Sequence, residues 1–184
     1  MATYIVTGGT GFLGRHTIER LLERDPSAPG ARPRPPGSLS KFERSAERWP
    51  DRARVHALVG DLTAPGLGLR TPPPAADHVL HLGAIYDLAA GEEQASTNID
   101  GTRAVIDLAS GLGATLHHVS SIAVAGDHRG RFTEDDFDLG QHFPTPYHRT
   151  KFEAERLVRT SGVPWGLSSS SRVGSSVTGE MDKV

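Results

Sequence analysis

A glycine-rich turn between a short strand and a helix places the strongest constraint on this sequence. Gly8, Gly11 and Gly14 follow an apolar run at residues 4–6, and apolar residues then recur at helical spacing up to residue 24. In that context Gly8 would allow a tight turn, Gly11 would let the backbone approach a pyrophosphate, and Gly14 would let the helix pack closely on the sheet. No Lys-Ser or Lys-Thr pair follows the turn, so the pattern favours a dinucleotide over a nucleotide triphosphatase.

Strands and helices alternate along the rest of the chain. Continuous apolar runs predict strands, and helical periodicity predicts helices, at residues 38–48, 55–59, 79–82, 98–110, 115–119 and 147–160. Continuous apolar strands are typical of parallel sheets buried on both faces. We therefore expect an α/β fold, a Rossmann-type doubly wound parallel sheet, with residues 1–184 forming one dinucleotide-binding domain.

Polar or glycine-rich residues stand at the ends of several predicted strands. Asp61 follows the strand at 55–59, Gly83 and Ala84 follow the strand at 79–82, and Ser121 follows the strand at 115–119. In open α/β sheets the ligand lies outside the carboxyl ends of the strands. We expect these residues to converge with the glycine turn on one edge of the sheet.

The composition argues against several other classes of protein. Twenty Lys and Arg against 22 Asp and Glu give a net charge of -2, so no electrostatic excess favours nucleic acid. The sequence contains no cysteine, which excludes disulfides, thiolate nucleophiles and cysteine-ligated zinc. No secretory signal begins the chain, and no apolar run approaches the ~20 residues of a membrane helix. We expect a soluble cytoplasmic protein.

Tyr147 and Lys151 form a pair whose spacing favours joint action on one ligand. They lie one helical turn apart, and Ser121 at the tip of the preceding strand stands 26 residues upstream of Tyr147. A carbonyl that receives hydride develops negative charge on oxygen, and two hydroxyls can donate hydrogen bonds and then a proton to it. Shifting a tyrosine pKa from ~10 toward ~7 requires about 4 kcal/mol, much of which a neighbouring ammonium can supply.

In this order, the motifs resemble the extended short-chain dehydrogenase/reductases. The resemblance includes T-G-G-T-G-F-L-G, Gly60-Asp61-Leu62, N-I-D-G-T and Tyr147-His148-Arg149-Thr150-Lys151. More narrowly, H-L-G-A-I-Y-D, H-H-V-S-S-I-A, P-Y-H-R-T-K and T-G-E-M-D-K-V resemble bacterial fatty acyl-CoA reductases and thioester-reductase domains. The resemblance covers nearly the whole chain.

The resemblance implies a role for each matching residue. Tyr147 would be the catalytic acid, Ser121 would polarise the carbonyl, and Lys151 would hold the nicotinamide ribose and tune Tyr147. The implied cofactor-binding residues are Thr7, Gly8, Gly11, Phe12, Leu13, Gly14, Asp61, Leu62, Gly83, Ala84, Asn98 and Lys151. Asp61 and Leu62 would flank the adenine, and Asn98 would organise the helix or a water near Lys151. Family members commonly read H-L-A-A where this chain has Gly83, a change that should spare the backbone contact.

The resemblance also implies the reaction. We expect an NADP-dependent reductase that converts a fatty acyl thioester such as acyl-CoA to an aldehyde or alcohol. NAD is the alternative cofactor. Arg32 or Arg34 could bind a 2′-phosphate bidentately, and no acidic residue lies between Pro29 and Pro36. The alternatives are a nucleotide-sugar epimerase or dehydratase, which would share the cofactor site, and a non-catalytic dinucleotide-binding protein. Oligomeric state is left open.

Two segments depart from the family pattern. The second strand should lie between Pro29 and Pro36, but prolines cannot donate to a central ladder, so we expect a disrupted strand there. Residues 166–176 run into consecutive serines where a further strand is expected. A shifted reading frame would explain both segments, a hypothesis that resequencing the coding DNA tests. Extended members continue for roughly another hundred residues, so we expect a fragment that lacks the C-terminal substrate lobe.

The remaining polar residues favour structural roles. His117 and His118 are neighbours on a strand and point to opposite faces, so they are poorly placed to chelate one metal ion, and no metal site is expected. No G-x-S-x-G motif accompanies Ser121, which disfavours a serine hydrolase. Glu134, Asp135 and Asp136 are expected in a solvated loop.

Overall fold

Six parallel strands form one sheet. The computed structural model describes residues 2–24, 30–34, 39–47, 49, 51–84 and 93–169. The strands are β1 (Tyr4–Thr7), β2 (Gly30–Arg34), β3 (Val55–Val59), β4 (His78–His81), β5 (Thr115–Ser120) and β6 (Trp165–Ser169). They lie in the order β3-β2-β1-β4-β5-β6, and every neighbouring pair is parallel. The predicted Rossmann-type parallel sheet is confirmed.

Four α-helices lie between the strands in the described part of the chain. They are α1 (Phe12–Arg24), α2 (Leu39–Ala46), α3 (Glu93–Leu112) and α4 (Pro146–Thr160). Helix α4 begins with a proline in its first turn, where the missing N–H costs no helical hydrogen bond. Helix α3 begins five residues before the predicted start at Asn98. No helix in the described ranges is long and apolar enough to cross a membrane.

The sheet separates two hydrophobic clusters because successive residues of a strand point to opposite faces. On one face Ile5 packs with residues of β4, β5, α3 and α4, including the fully buried Val105 and Val158. On the other face Val6 packs with α1 and α2, including Ile18 and Phe42. Both faces of β1 are therefore covered, as the continuous apolar run predicted.

The second strand forms despite its prolines. All five residues from Gly30 to Arg34 have partners in β3, and Pro33 stands opposite Leu58. Pairing with β1 covers only two residues and ends at Ala31, two residues before Pro33, which has no N–H to donate. The expectation of a disrupted strand was therefore too strong: β2 is present between β1 and β3, with a short register against β1.

The sixth strand also forms where the serine-rich sequence suggested irregularity. Residues 165–169 pair with β5 over five residues, from Leu116 opposite Trp165 to Ser120 opposite Ser169. Residues 166–169 therefore belong to a paired strand although their sequence departs from the family pattern. The rest of that segment, residues 170–176, lies outside the described residues.

The strand order places a crevice at the carboxyl end of β1. Strands β2 and β4 flank β1. From β1 the chain adds β2 and then β3 on one side, and it then returns to add β4, β5 and β6 on the other side. Where the strand order reverses, the loops after the two central strands diverge to opposite faces and leave space between them. The glycine turn follows β1, and Gly83 follows β4, so both lie at this crevice.

Candidate functional site

The turn after β1 is held tightly by its glycines. Gly8 has a φ of +67°, a conformation that side chains rarely adopt, and a Cβ there would lie 2.6 Å from the Gly83 nitrogen. A Cβ on Gly14 would lie 2.3 Å from the Gly8 carbonyl oxygen. The Gly11 N–H donates to that same oxygen at 2.9 Å. Glycine is thus required at 8 and 14 for the turn to contact both β4 and α1.

The turn and the start of α1 fit the diphosphate of a dinucleotide. A Cβ on Gly11 would have a single neighbour within 4 Å, the Gly8 oxygen at 3.2 Å, so the other side of Gly11 is open. Helix α1 begins at Phe12 and has no acidic residue in its first turn, so its N-terminal N–H groups are available to an anion. Phe12 and Leu13 are exposed beside this turn.

The turn after β3 brings Asp61 and Leu62 toward the turn after β4. Asp61 Oδ1 accepts hydrogen bonds from the Thr63 N–H at 2.9 Å and the Thr63 hydroxyl at 2.8 Å, and these bonds lower the pKa of the carboxyl. Leu62 packs on Gly83 and on Gly101 of α3. A Cβ at position 83 would lie 2.6 Å from Leu62 Cδ1, the flexible end of a side chain. An alanine at position 83, which family members commonly have, would therefore require the Leu62 side chain to rotate but would leave the backbone in place.

Ser121 directly follows β5. Its Oγ accepts a hydrogen bond from the Ala123 N–H at 3.2 Å, and it caps a short 3-10 helix over Ile122–Ala125. Val124 of that short helix is fully buried against Phe152 of α4. The tip of β5 that carries Ser121 is therefore packed on the helix that carries Tyr147 and Lys151.

Tyr147 and Lys151 are both buried in α4. The Lys151 ammonium donates to the Val119 carbonyl of β5 at 2.9 Å, two residues before Ser121. Burial lowers the pKa of Lys151 to about 8, and the negative charge of Glu155 partly opposes that shift. Lys151 thus remains largely protonated at neutral pH while it joins α4 to β5.

Asn98 links α3 to the same helix. Its Nδ2 donates to the Thr150 hydroxyl at 3.2 Å, and the Thr150 hydroxyl donates to the Tyr147 carbonyl at 3.0 Å. Asn98 and Thr150 are both buried. Asn98 therefore lies beside the helix that carries Tyr147 and Lys151.

A buried carboxylate that the sequence analysis did not identify lies one turn beyond Lys151. Glu155 is fully buried, accepts a hydrogen bond from Ser120 of β5, and is paired with Arg159, whose Nε donates at 2.8 Å. The sequence signal is a charged residue at every fourth position, Lys151, Glu155 and Arg159. Glu155 fixes the end of β5 next to Ser121.

Four histidines form two neighbouring pairs on β4 and β5. His118 is buried beside His81, and His117 bonds His78 with 3.1 Å between their ring nitrogens. Among the described residues no group of His, Asp and Glu is arranged to hold a metal ion. Glu134 and Asp135 are exposed in the loop before α4. The side chains of Arg32 and Arg34 lie outside the described part of the chain, although their backbone forms β2.

The parallel sheet and the glycine turn have the architecture of the extended short-chain dehydrogenase/reductases. A family model described as Male sterility protein, an NAD-binding family, matches residues 6–184. This chain belongs to that family.

Three known proteins illustrate the range of similarity. The 3-beta-hydroxysteroid dehydrogenase of Mycolicibacterium neoaurum is 25% identical over 190 residues, covering 98% of this chain and 49% of that protein. The terminal R domain from the myxalamid PKS-NRPS pathway has a TM-score of 0.78 at 26% identity over 91% of this chain and 48% of its own. The UDP-glucose 4-epimerase from Bifidobacterium longum, solved with NAD+ and UDP, shares the fold with a TM-score of 0.70 at 22% identity, covering 91% and 52%. The chain spans about half the length of these proteins.

Proposed function

We propose that this chain carries the cofactor-binding and catalytic residues of an NADP-dependent reductase of fatty acyl thioesters. The observation that carries the proposal is the contact of α4 with the tip of β5. The Lys151 ammonium bonds the Val119 carbonyl at 2.9 Å, which anchors the helix bearing Tyr147 beside the strand end bearing Ser121. Similarity to the R domain of a PKS-NRPS pathway, at 26% identity, supports an acyl thioester as the substrate.

The residues of this chain divide the work between binding and proton transfer. The turn containing Gly8, Gly11 and Gly14 and the start of α1 hold the diphosphate, and Asp61 and Leu62 hold the adenine end. Thr7, Phe12, Leu13, Gly83, Ala84 and Asn98 complete the proposed cofactor site. The nicotinamide supplies hydride when the cofactor is bound.

Ser121 and Tyr147 act on the carbonyl oxygen of the substrate. Both hydroxyls donate hydrogen bonds to that oxygen as it gains negative charge, and Tyr147 delivers the proton. Lys151 stabilises the resulting phenolate through its positive charge. The product is a thiohemiacetal, which loses the thiol to give an aldehyde. Each acyl-CoA, NADPH and proton thus yields one aldehyde, one CoA thiol and one NADP+. A second round of reduction gives the alcohol.

Thiol release tests the reaction. The purified chain, incubated with NADPH and a fatty acyl-CoA, should oxidise NADPH and release an equal amount of CoA thiol. A ketosteroid and a UDP-sugar serve as competing substrates, because the dehydrogenase and epimerase relatives are named for those classes. Turnover of either competitor without thiol release would assign the site to the corresponding reaction. Cofactor binding with no turnover of any substrate would support the non-catalytic alternative.

Lys151 should impose a pH limit on activity. The protonated form is the active one, and its pKa of about 8 predicts that kcat/KM falls as the pH rises above about 8. The stability of the fold should change with pH in the opposite direction. The unfolded chain, with an ordinary lysine pKa of 10.5, binds more protons between about pH 8 and 10.5, so the free energy of unfolding should rise over that interval.

The Lys151→Met variant isolates this group. It should lack activity and also lack the rise in unfolding free energy between about pH 8 and 10.5, as measured by urea denaturation at several pH values. The same rise in the variant would assign the effect to another residue.

Cofactor selection is expected to favour NADPH. Arg34 is the last residue of β2, whose carboxyl end lies beside the turn after β1, and a guanidinium there can bind a 2′-phosphate bidentately. Fluorescence titration should give weak binding overall with a lower Kd for NADPH than for NADH. Arg34→Ala should remove the preference, whereas Arg129→Ala, in an exposed loop, should retain it. Equal or tighter binding of NADH to the wild-type chain would contradict NADP dependence.

A further inference from the structure

We propose that His81 is a positioning residue that joins the cofactor-binding turns to α3 through one ordered chain of hydrogen bonds. The inference rests on the proposed dinucleotide site, because the series of hydrogen bonds ends at Gly83 on one side and at Asn98 on the other. His81 is the last residue of β4 and is almost completely buried, at 3% exposure. Its ring lies between two threonine hydroxyls from different elements.

Each ring nitrogen of His81 has one partner. Nδ1 lies 2.7 Å from the hydroxyl of Thr7 at the end of β1, and Nε2 lies 3.0 Å from the hydroxyl of Thr102 in α3. The Thr7 hydroxyl also accepts from the Gly83 N–H at 3.2 Å. The Thr102 hydroxyl donates to the Asn98 carbonyl at 2.6 Å. One side chain therefore connects β1, β4 and α3.

The partners determine which nitrogen carries the proton. A threonine hydroxyl has one hydrogen, and that of Thr102 is donated to the Asn98 carbonyl, so Thr102 must accept from His81 Nε2–H. A neutral imidazole with hydrogen on Nε2 has a bare Nδ1, which accepts from the Thr7 hydroxyl. Thr7 can then accept from Gly83 N–H with a lone pair. Every donor in the chain has one acceptor.

The surroundings keep the ring neutral. Burial, with a smaller contribution from the positive charge of Lys151, lowers the pKa of His81 to about 3. A neutral ring is the form that can accept at one nitrogen and donate at the other. At ordinary pH values each donor and each acceptor in this series of hydrogen bonds therefore keeps its role.

The two ends of the chain lie in the proposed cofactor site. The Gly83 nitrogen is within 2.6 Å of where a Gly8 Cβ would stand, so holding Gly83 also holds the glycine turn. At the other end Asn98 donates from its side chain to Thr150, which in turn donates to the Tyr147 carbonyl. His81 thus connects the turn that binds the diphosphate with the helix that presents Tyr147.

Thr102→Val is the variant that breaks the chain with least change in shape. It removes the acceptor of His81 Nε2–H and the donor to Asn98, whereas Thr102→Ser retains both. Thr160→Val is the matched control, since the Thr160 hydroxyl makes the same bond to the carbonyl four residues earlier, at 2.9 Å, on the exposed end of α4. It has no part in the cofactor site.

Three measurements test the proposal on the whole chain. Nitrogen-15 NMR of the wild type should identify His81 as the Nε2–H tautomer. Amide exchange at Gly83 should accelerate at least 10-fold in Thr102→Val and stay within 3-fold of wild type in Thr102→Ser and Thr160→Val. The Kd for NADPH should rise at least 5-fold in Thr102→Val, with serine restoring it.

The outcomes separate this proposal from the function on which it rests. An Nδ1–H tautomer, or Gly83 exchange in Thr102→Val equal to that in Thr160→Val, would overturn the role of His81. If Gly83 responds as expected but Thr102→Val binds NADPH as tightly as the wild type, the coupling to the cofactor is overturned. If the His81 tautomer and the Gly83 exchange rates are as expected but the wild-type chain binds no dinucleotide, the role of His81 in joining β4 to α3 is upheld and the proposed function fails.

Discussion

Tyr147→Phe should lower the rate of acyl-CoA reduction about 1,000-fold and leave the Kd for NADPH within 2-fold of the wild type. Loss of a positioned proton donor typically costs a factor of 100 to 10,000, and a 1,000-fold loss corresponds to about 4 kcal/mol of transition-state stabilisation. The ring is buried at the start of α4, so phenylalanine fills the same space. Single-turnover NADPH oxidation and a fluorescence titration measure the two quantities separately.

Tyr4→Phe provides the matched control. Tyr4 lies in β1 and stacks on His78, with a ring separation of 5.0 Å, so the substitution removes a phenol outside the proposed site. Its rate should stay close to that of the wild type. Retention of a tenth or more of the wild-type rate by Tyr147→Phe would remove Tyr147 from the role of proton donor.

Gly8→Ala should weaken NADPH binding at least 100-fold. The φ of +67° is strained for alanine, and the new methyl would lie 2.6 Å from the Gly83 nitrogen and 2.8 Å from its Cα. The turns after β1 and β4 would have to separate, which displaces the groups proposed to contact the diphosphate. A 100-fold change in Kd corresponds to about 2.7 kcal/mol, within the range expected of one strained residue and one backbone overlap.

Gly111→Ala separates a local effect from a general intolerance of glycine substitution. Gly111 lies in α3, where a Cβ would have no neighbour within 4 Å, so alanine should raise stability by about 0.5–1 kcal/mol and leave NADPH binding unchanged. Thermal unfolding and the same titration provide both readings. If Gly8→Ala had the same Kd for NADPH as Gly111→Ala, the turn would not hold the diphosphate.

Elements marked by a compact apolar run were predicted closely, and segments without an apolar signal were not. The run at 55–59 became β3 with the same bounds, because Val55, Leu58 and Val59 form a short apolar segment that ends at Gly60. The start of α3 was missed since the periodicity begins near Ile99, while residues 93–97 carry no apolar stripe.

The second strand shows how neighbours override local preference. Pro33 has no N–H, and the sequence therefore argued against a ladder, yet pairing with β3 on one side and the first residues of β1 on the other suffices for a strand. Neither partner is adjacent in sequence. The sequence shows which hydrogen bonds a proline cannot make. Only the fold shows how many hydrogen bonds the other residues of the strand make with neighbouring strands.

The same limit applies to the site. Tyr147 and Lys151 could be found because their spacing on one helix is visible in sequence. Glu155 could not be distinguished from a solvated helix residue, because its burial depends on Ser120, 35 residues away on β5. The two threonine partners of His81 come from β1 and α3, and sequence alone does not bring them together.

The charged row along α4 determines the sign of the electric field at the reactive end of the helix. Lys151 is positive, Glu155 is negative, and Arg159 is positive, with Arg159 lying 4.7 Å over the ring of Phe137. Because Arg159 neutralises Glu155, the row keeps one net positive charge, and that charge lies on the side of Tyr147. The macrodipole of α4 is also positive at its first turn, where Tyr147 lies. Both fields therefore favour negative charge near the first turn of α4.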